Sequence, residues 1–362
     1  MARVGIIGAG QLGQMLGYAG RQLGLECTFL DPAESPPAAS AGRVIADRFD
    51  GPRGLAALQR QSDVISYEFE NVPVETVESF AQALPVYPPA AALRHAQDRV
   101  REKQLFETLG IPVPAYRPVD SVTQLNAAIA ELGTPLVLKT RRLGYDGKGQ
   151  AVIRGGENHQ EVVDNLGGAS LIAEEWVNFD LEVSAIAARS ISGELAFYPL
   201  TENRHTGGIL RTSRAPFEGQ ALTRLATDYM TRLLQDLEYV GVLALELFVC
   251  GDRLLANEFA PRVHNSGHWT IEGCRTSQFE NHLRAILDLP LGSTELVAHA
   301  GMVNIIGHMP ETATLREMER IYLHDYGKTP RPGRKLGHVT VLDSDAESRD
   351  RRLLELTALL EN

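Results

Sequence analysis

Apolar and polar positions along this chain fall into blocks that switch between two periods. Residues 3–7 (RVGII) form a short apolar run that ends in glycines, the mark of a buried strand, and residues 11–23 then carry apolar side chains at helical spacing. A second strand at 26–30, a helix near 51–61, a strand at 63–67, a helix after Pro73 and a short strand at 85–87 continue the alternation. Such alternation predicts a parallel sheet with helices on its faces. The prolines of YPPAAALRHAQDR mark a boundary into a new helical segment, and LGIPVPAYRPVDS reads as an extended connection. A helix at 121–132, strands at 135–139 and 151–153, a helix at 158–166 and a strand at 171–177 follow. The second half is strand-rich, at 180–188, 195–198, 242–248 and 253–259, with a helix at 221–237. From about 301 the pattern mixes short strands with a final helix at 347–360. The reading is an α/β chain in three pieces: a Rossmann-like front, a mixed middle and a small C-terminal cap.

Composition narrows the class. The 362 residues are 44% hydrophobic and 22% charged, enough apolar material for more than one core. A net charge of −11 argues against nucleic-acid or anionic-membrane binding as a general property. Cys27, Cys250 and Cys274 are widely spaced and odd in number, so reduced thiols are expected rather than a disulfide framework. No apolar stretch is long enough for a signal peptide or a bilayer span, and the expectation is a soluble cytoplasmic protein.

Two glycine patterns compete for a nucleotide. In GIIGAGQLG, Gly8, Gly10 and Gly13 match G-x-G-x-x-G between a strand and a helix, with Asp31 ending the next strand. That pattern suits a dinucleotide, a different phosphate, or simply the close packing any doubly wound sheet needs. The second pattern, RRLGYDGKGQ at 141–150, follows the apolar run PLVLKT. It is not a P-loop: Lys148 is followed by Gly149, no hydroxyl is available for a metal, and the loop leads into a strand. What remains is a glycine hairpin crowded by Lys139, Arg141, Arg142 and Lys148. Glycines let backbone N–H groups approach phosphate oxygens, so this reads as a phosphate lid.

Acidic positions complete the candidate chemistry. Glu174 and Glu175 end the strand of LIAEEWVNFDLEVS, and Glu182 lies in the next one. Glu246 in VLALELFV is a lone charge in an apolar strand and needs a partner, while Asn257 and Glu258 lie in LLANEFAPR. Two carboxylates and an amide oxygen form a hard set suited to Mg²⁺; a buried Glu–Arg pair is the simpler alternative. Zinc spacing and the G-x-S-x-G nucleophile elbow are both absent.

Together these residues resemble the ATP-grasp superfamily. The motifs GAGQLGQML, SYEFENVP, QDRVREKQLFETLGIPVP, KTRRLGYDGKGQ, PLTENRHTGGILRTSRAP, NEFAPRVHNSGHWTIEGCRTSQFENHLRAI and YGKTPRPGRKLGHV sharpen this. Occurring in that order, they are similar to the 5-(carboxyamino)imidazole ribonucleotide synthetase family. The resemblance implies an ATP-grasp fold with a Rossmann-like pre-ATP-grasp domain at 1–98. It further implies a lid-bearing subdomain at 99–177, a metal-binding subdomain at 178–298 and a small C-terminal domain at 299–362. It implies a ligase that uses ATP and bicarbonate to carboxylate the amine of 5-aminoimidazole ribonucleotide (AIR), with Mg²⁺, and a homodimer.

By matched motif, Arg99 and Lys139 are implied at the ATP phosphates, under a lid of Gly144, Tyr145, Asp146, Gly147, Lys148, Gly149 and Gln150. Glu174, Glu175, Trp176 and Val177 are implied around adenine, with Glu182 at the ribose and His205 completing the pocket. Glu246 and Glu258 are the implied metal ligands, with Asn257 beside them. For AIR the resemblance points to Gln11, Leu12, Glu70 and Asn265, with its phosphate on Lys328, Arg334 and Lys335. Arg262 and His264 are expected to hold bicarbonate and its activated form. A formate-dependent transformylase of the same superfamily and an NAD(P)-dependent oxidoreductase on the front fingerprint are the alternatives.

Overall fold

A computed structural model describes residues 2–144, 147–168 and 170–361. Its front is a four-stranded sheet in the order Arg43–Ala46, Glu26–Asp31, Arg3–Ile7, Val64–Tyr67, with every pairing parallel. Parallel strands buried on both faces read as continuous apolar runs, which is why Val64–Tyr67 is wholly buried. The strand expected at 85–87 is reduced to a single bridge between Val86 and Ile65. The prolines at 85, 88 and 89 leave too few N–H groups for a longer ladder. The strand Arg43–Ala46 was not expected, because only Val44 and Ile45 break its polar surroundings.

The middle holds two further sheets. The smaller is wholly antiparallel, in the order Tyr116–Val119, Leu171–Glu175, Leu136–Thr140, Gln150–Ile153. The hairpin from Leu136–Thr140 to Gln150–Ile153 carries the glycine loop between two strands, as expected. The larger sheet has nine strands among the described residues. Its path runs Arg253–Ala260, Gly241–Cys250, Leu181–Arg189, Thr201–Thr206, Ile209–Ala215, then His299–Ile306, Lys335–Asp343 and Ile321–Asp325. Ile209–Ala215 pairs with His299–Ile306, so the C-terminal strands extend the sheet that bears Glu246 and Glu258. A separate apolar cluster under the last helix, Ala346–Glu361, gives this end its own core.

Packing fixes how the front meets the middle. Leu16 and Phe29 of the front share one buried cluster with Ile186, Val242, Trp269 and Leu283. The helix Gln11–Gln22 thereby lies against the helix Gln278–Ile286, which packs on the large sheet. Each such side chain contributes about 1.5–3 kcal/mol on burial, so this seam holds the front turn at a fixed place beside the sheet. Helix Arg99–Thr108 begins at Asp98, whose carboxylate accepts from the N–H groups of Val100 and Arg101. Its buried face carries Glu102 and Lys103 into the middle of the molecule.

Candidate functional site

One cleft of about 1170 Å³ lies where the front turn, the glycine hairpin, the large sheet and the C-terminal turn converge. It receives most of the residues singled out in the sequence. Gln11, Leu12 and Glu70 line its front end, and Lys328, Arg334 and Lys335 its C-terminal end. Arg99, Lys139, Gly144, Gly147, Lys148 and Gln150 line the hairpin side. Glu182, His205, Glu246, Asn257 and Glu258 line the floor, with Arg262, His264 and Asn265 between the floor and the front turn.

The rest are placed differently. Tyr145 and Asp146 lie outside the described residues. Gly149 is not on the cleft wall; its Cβ-free side faces the Thr140 hydroxyl, and its φ of +71° is the left-handed region that favours glycine. Glu174 is buried beneath the wall, where Lys139 donates to it at 2.7 Å and Lys103 stands 3.8 Å away. Burial pushes its carboxyl up, but the two lysines outweigh this and hold it at about 2. Glu175 turns to a separate groove and accepts from the Ala115 N–H, and Trp176 lies against Arg154. Val177 is not on the wall either. Val137, Phe179 and Phe248 are instead among the apolar residues of the wall, the last two stacked with ring centroids 4.8 Å apart. Sequence reasoning missed them. The available signal was the alternation of Gly241–Cys250, where Glu246 and Phe248 share a face.

The floor is built by register. Glu246 sits directly opposite Glu258 on neighbouring antiparallel strands, which are bulged between Glu246 and Leu247. Like charges opposite one another need compensation, and each carboxylate has a nitrogen partner. Arg99 donates to Glu258 at 2.6 Å, and His264 Nε2 lies 3.1 Å from Glu246 Oε1. Burial resists ionisation of Glu246, but His264, His205 and Lys335 together lower its pKa below the usual carboxylate value. Burial likewise pulls His205 down, but its 2.7 Å bond to Glu182 and the charge of Glu246 raise it above the ordinary histidine value. Beneath the floor Glu102 accepts from the Phe259 N–H, and burial beside Glu258 raises its pKa. The Glu–Arg pair weighed from the sequence is therefore present, as Arg99 with Glu258. It stands beside an amide oxygen that has no partner: Asn257 Oδ1 is buried and unbonded.

That unpartnered oxygen, with Glu246 and Glu258, forms a hard oxygen set of the kind Mg²⁺ takes together with substrate phosphates. Among the described residues no group of three histidine, cysteine, aspartate or glutamate side chains could hold a metal alone. A cation sharing its shell with phosphate fits this set.

The front turn settles the dinucleotide question. Both oxygens of Glu68 are occupied by the helix start, accepting from Gly10 N at 2.7 Å and Gly13 N at 3.0 Å. A Cβ on Gly8 or Gly10 would come within 2.6 and 2.8 Å of Glu68 atoms. Asp31 accepts from the N–H groups of Ala9 and Ala33 instead of meeting a ribose. The fingerprint glycines thus make room for an internal carboxylate at the helix N-terminus, where a pyrophosphate would have to bind. Close by, Arg262 pairs with Glu70, and Lys328 donates to Gln11. Burial, then Arg334, lowers the pKa of Lys328 to about 8.

In comparison with known proteins, three family models match successive parts of the chain. Residues 1–97 match the ribonucleotide synthetase preATP-grasp domain, 104–279 the ATP-grasp domain, and 300–352 the phosphoribosylaminoimidazole carboxylase C-terminal domain. The N5-carboxyaminoimidazole ribonucleotide synthase of Pseudomonas aeruginosa is 49% identical over 359 residues, covering 99% of each chain. The chain belongs to the N5-carboxyaminoimidazole ribonucleotide synthase family. Among solved members of the family, the synthetase of Thermus thermophilus superimposes with a TM-score of 0.95 at 49% identity, covering 99% of both chains. An Aspergillus clavatus member, solved with ADP and 5-aminoimidazole ribonucleotide, gives 0.91 at 28% identity over 99% of this chain and 98% of its own. Family and ATP-grasp architecture agree with the expectation drawn from the motifs. The dinucleotide alternative is disfavoured by both family and turn.

Proposed function

We propose that this chain carboxylates the amine of AIR with bicarbonate, releasing ADP and phosphate, in the cleft described above. The observation that carries the reading is that one cleft joins two phosphate-type cation groups across a pair of opposed carboxylates. Arg99 and Lys139 stand at one end and Lys328 and Arg334 at the other. Two anionic substrates could lie there with their reactive ends over Arg262 and His264. Relatives named for carboxylation favour bicarbonate over formate.

Bicarbonate is a poor acyl donor because hydroxide leaves badly. In the proposed first step a bicarbonate oxygen attacks the γ-phosphorus, the bond to the bridging oxygen breaks, and ADP departs. Carboxyphosphate forms. It then parts into carbon dioxide and phosphate, and the AIR amine attacks the carbon and loses a proton. The chain's contribution is positional and electrostatic. Lys139 and Arg99 are charged donors for the transferred phosphoryl group, and Lys148 with Gly144 and Gly147 closes over it. Val137, Phe179 and Phe248 offer the adenine an apolar face, and Glu182 lies within reach of the ribose. Arg262 and His264 hold the one-carbon acid. Water must be kept out, since carboxyphosphate hydrolyses, and the hairpin is the element that covers the cleft. Mg²⁺, held by Glu246, Glu258 and Asn257, would neutralise phosphate charge.

The test is ADP release with ATP, AIR and bicarbonate, omitting one component at a time. Full turnover is expected only with all three, and Lys139→Ala should lower kcat at least 100-fold. AIR-independent release at the full rate, or an undiminished Lys139→Ala variant, would refute the reading.

A further inference from the structure

Asn265 meets the cleft from a short turn whose backbone is already tied down. The Gln278 side chain accepts from the His264 N–H at 2.9 Å and donates to the His264 carbonyl at 2.6 Å. The Asn265 carbonyl accepts from the His268 N–H at 3.2 Å. What the turn leaves open is which way the Asn265 amide faces. Asn304, on the strand His299–Ile306, closes that question; it is 1% exposed and lies off the cleft wall. Its Oδ1 accepts from Asn265 Nδ2 at 3.0 Å, and its Nδ2 donates to Asn265 Oδ1 at 2.8 Å. The two amides thus meet head to head in a ring of two hydrogen bonds.

Such a ring could form in two ways, related by turning both amides over, and a neighbouring strand excludes one. The Leu210 carbonyl accepts from Asn304 Nδ2 at 2.9 Å, and a carbonyl has no proton to give. Turning Asn304 over would set its oxygen against that carbonyl in the protein interior. Turning Asn265 over alone would set oxygen on oxygen and nitrogen on nitrogen. The direction therefore runs from the backbone of Ile209–Ala215, through Asn304, to Asn265. Each amide nitrogen carries two hydrogens and each amide oxygen two acceptor sites. Once the ring is made, Asn265 keeps one N–H, with the weakly accepting Met302 sulfur 4.0 Å from its nitrogen, and one acceptor site.

We infer that Asn304 is a positioning residue that fixes the orientation of the Asn265 amide, so that its donor and its acceptor stand at set places beside the cleft. A ribose hydroxyl or an amine both donates and accepts, and an amide that cannot turn over engages such a group in one pose. The C-terminal strands then contribute direction to this end of the cleft, in addition to the charge of Lys328 and Arg334. The consequence for AIR rests on the proposed function; the orientation of the amide pair does not.

The test has two arms on the full-length protein. The first is a double-mutant cycle with Asn265→Ala and Asn304→Leu, both variants being checked for folding by circular dichroism. Asn304→Leu should lower kcat/KM for AIR about ten-fold and leave KM for ATP within about two-fold. In the Asn265→Ala background the same change should lower kcat/KM for AIR no further, because Asn304 acts through Asn265. Asn304→Asp keeps the acceptor but loses both donations, so it should give the same pattern, and it replaces the leucine variant should that one fail to fold. An equal fall in both backgrounds, or unchanged AIR kinetics in a folded Asn304 variant, overturns the positioning role. The second arm is neutron crystallography of wild type, in which the exchanged amide deuterons are seen directly. Deuterons of Asn304 Nδ2 on both Asn265 Oδ1 and the Leu210 carbonyl are expected, and reversed or unpaired amides overturn the inference. Were wild type inactive with AIR and bicarbonate, the proposed function would fail while the neutron arm still judged the pair.

Discussion

Lys328 is a cation whose charge is weakly held. Burial is the chief cause and Arg334 the next, and together they bring its pKa to about 8, against the smaller opposing pull of Glu68. A lysine with a lowered pKa is charged below that value and neutral above it. If Lys328 meets the AIR phosphate, kcat/KM for AIR should be level below about pH 8 and fall as pH rises further. This parameter reports the free enzyme, so a bound phosphate cannot hide the transition. Lys328→Arg should move the fall out of range, because a guanidinium keeps its proton. Measuring kcat/KM for AIR against pH for both proteins decides it. A flat wild-type profile through about pH 9, a unit above that pKa, or the same fall in Lys328→Arg, would remove the assignment.

Among elements, the front turn shows how a helix start can be diverted from its usual ligand. The helix Gln11–Gln22 has no side-chain cap of its own at Gly10, and Glu68 arrives from 58 residues away to accept from its first amides. Glu68→Ala should leave buried donors unpaired and lower stability by about 1–3 kcal/mol. It should also open a dipole-aligned anion site. Millimolar inorganic phosphate should then raise the melting temperature of the variant by more than it raises that of wild type; no difference between the two shifts would count against the account. The same turn shows what sequence could carry. Lys139 and the glycine hairpin were legible because an apolar strand stops abruptly at a polar cluster. The carboxylate partners of the front turn and of Arg141 were not, because Glu68 and Asp98 reach them only through tertiary structure. The strands Thr201–Thr206 and Ile209–Ala215 escaped for a related reason. Asn203 and Ser213 are buried as a hydrogen-bonded line, so their strands lack the apolar alternation that marks a core. The motif resemblance covered these segments where periodicity did not.

At the scale of the whole molecule, the large sheet runs unbroken from the acidic floor to the C-terminal cations, and this separates two residues that the sequence grouped together. Arg334 precedes the strand Lys335–Asp343 and donates to the Thr329 carbonyl, within the turn that ends the cleft. Lys335 begins that strand, and its charge acts on both Glu246 and His205, on the nucleotide side of the floor. Arg334→Ala should therefore raise KM for AIR about ten-fold or more, by loss of a charged phosphate contact, and leave KM for ATP within about two-fold. Lys335→Ala removes a cation that helps keep Glu246 ionised, so it should raise both constants. Steady-state kinetics with each substrate varied at saturating levels of the others distinguishes the two patterns. Equal effects of both variants on AIR alone would mean that the C-terminal strands serve one substrate only. The split expected here requires the continuous sheet, because only a shared strand register sets Lys335 against the floor while Arg334 stays with the turn.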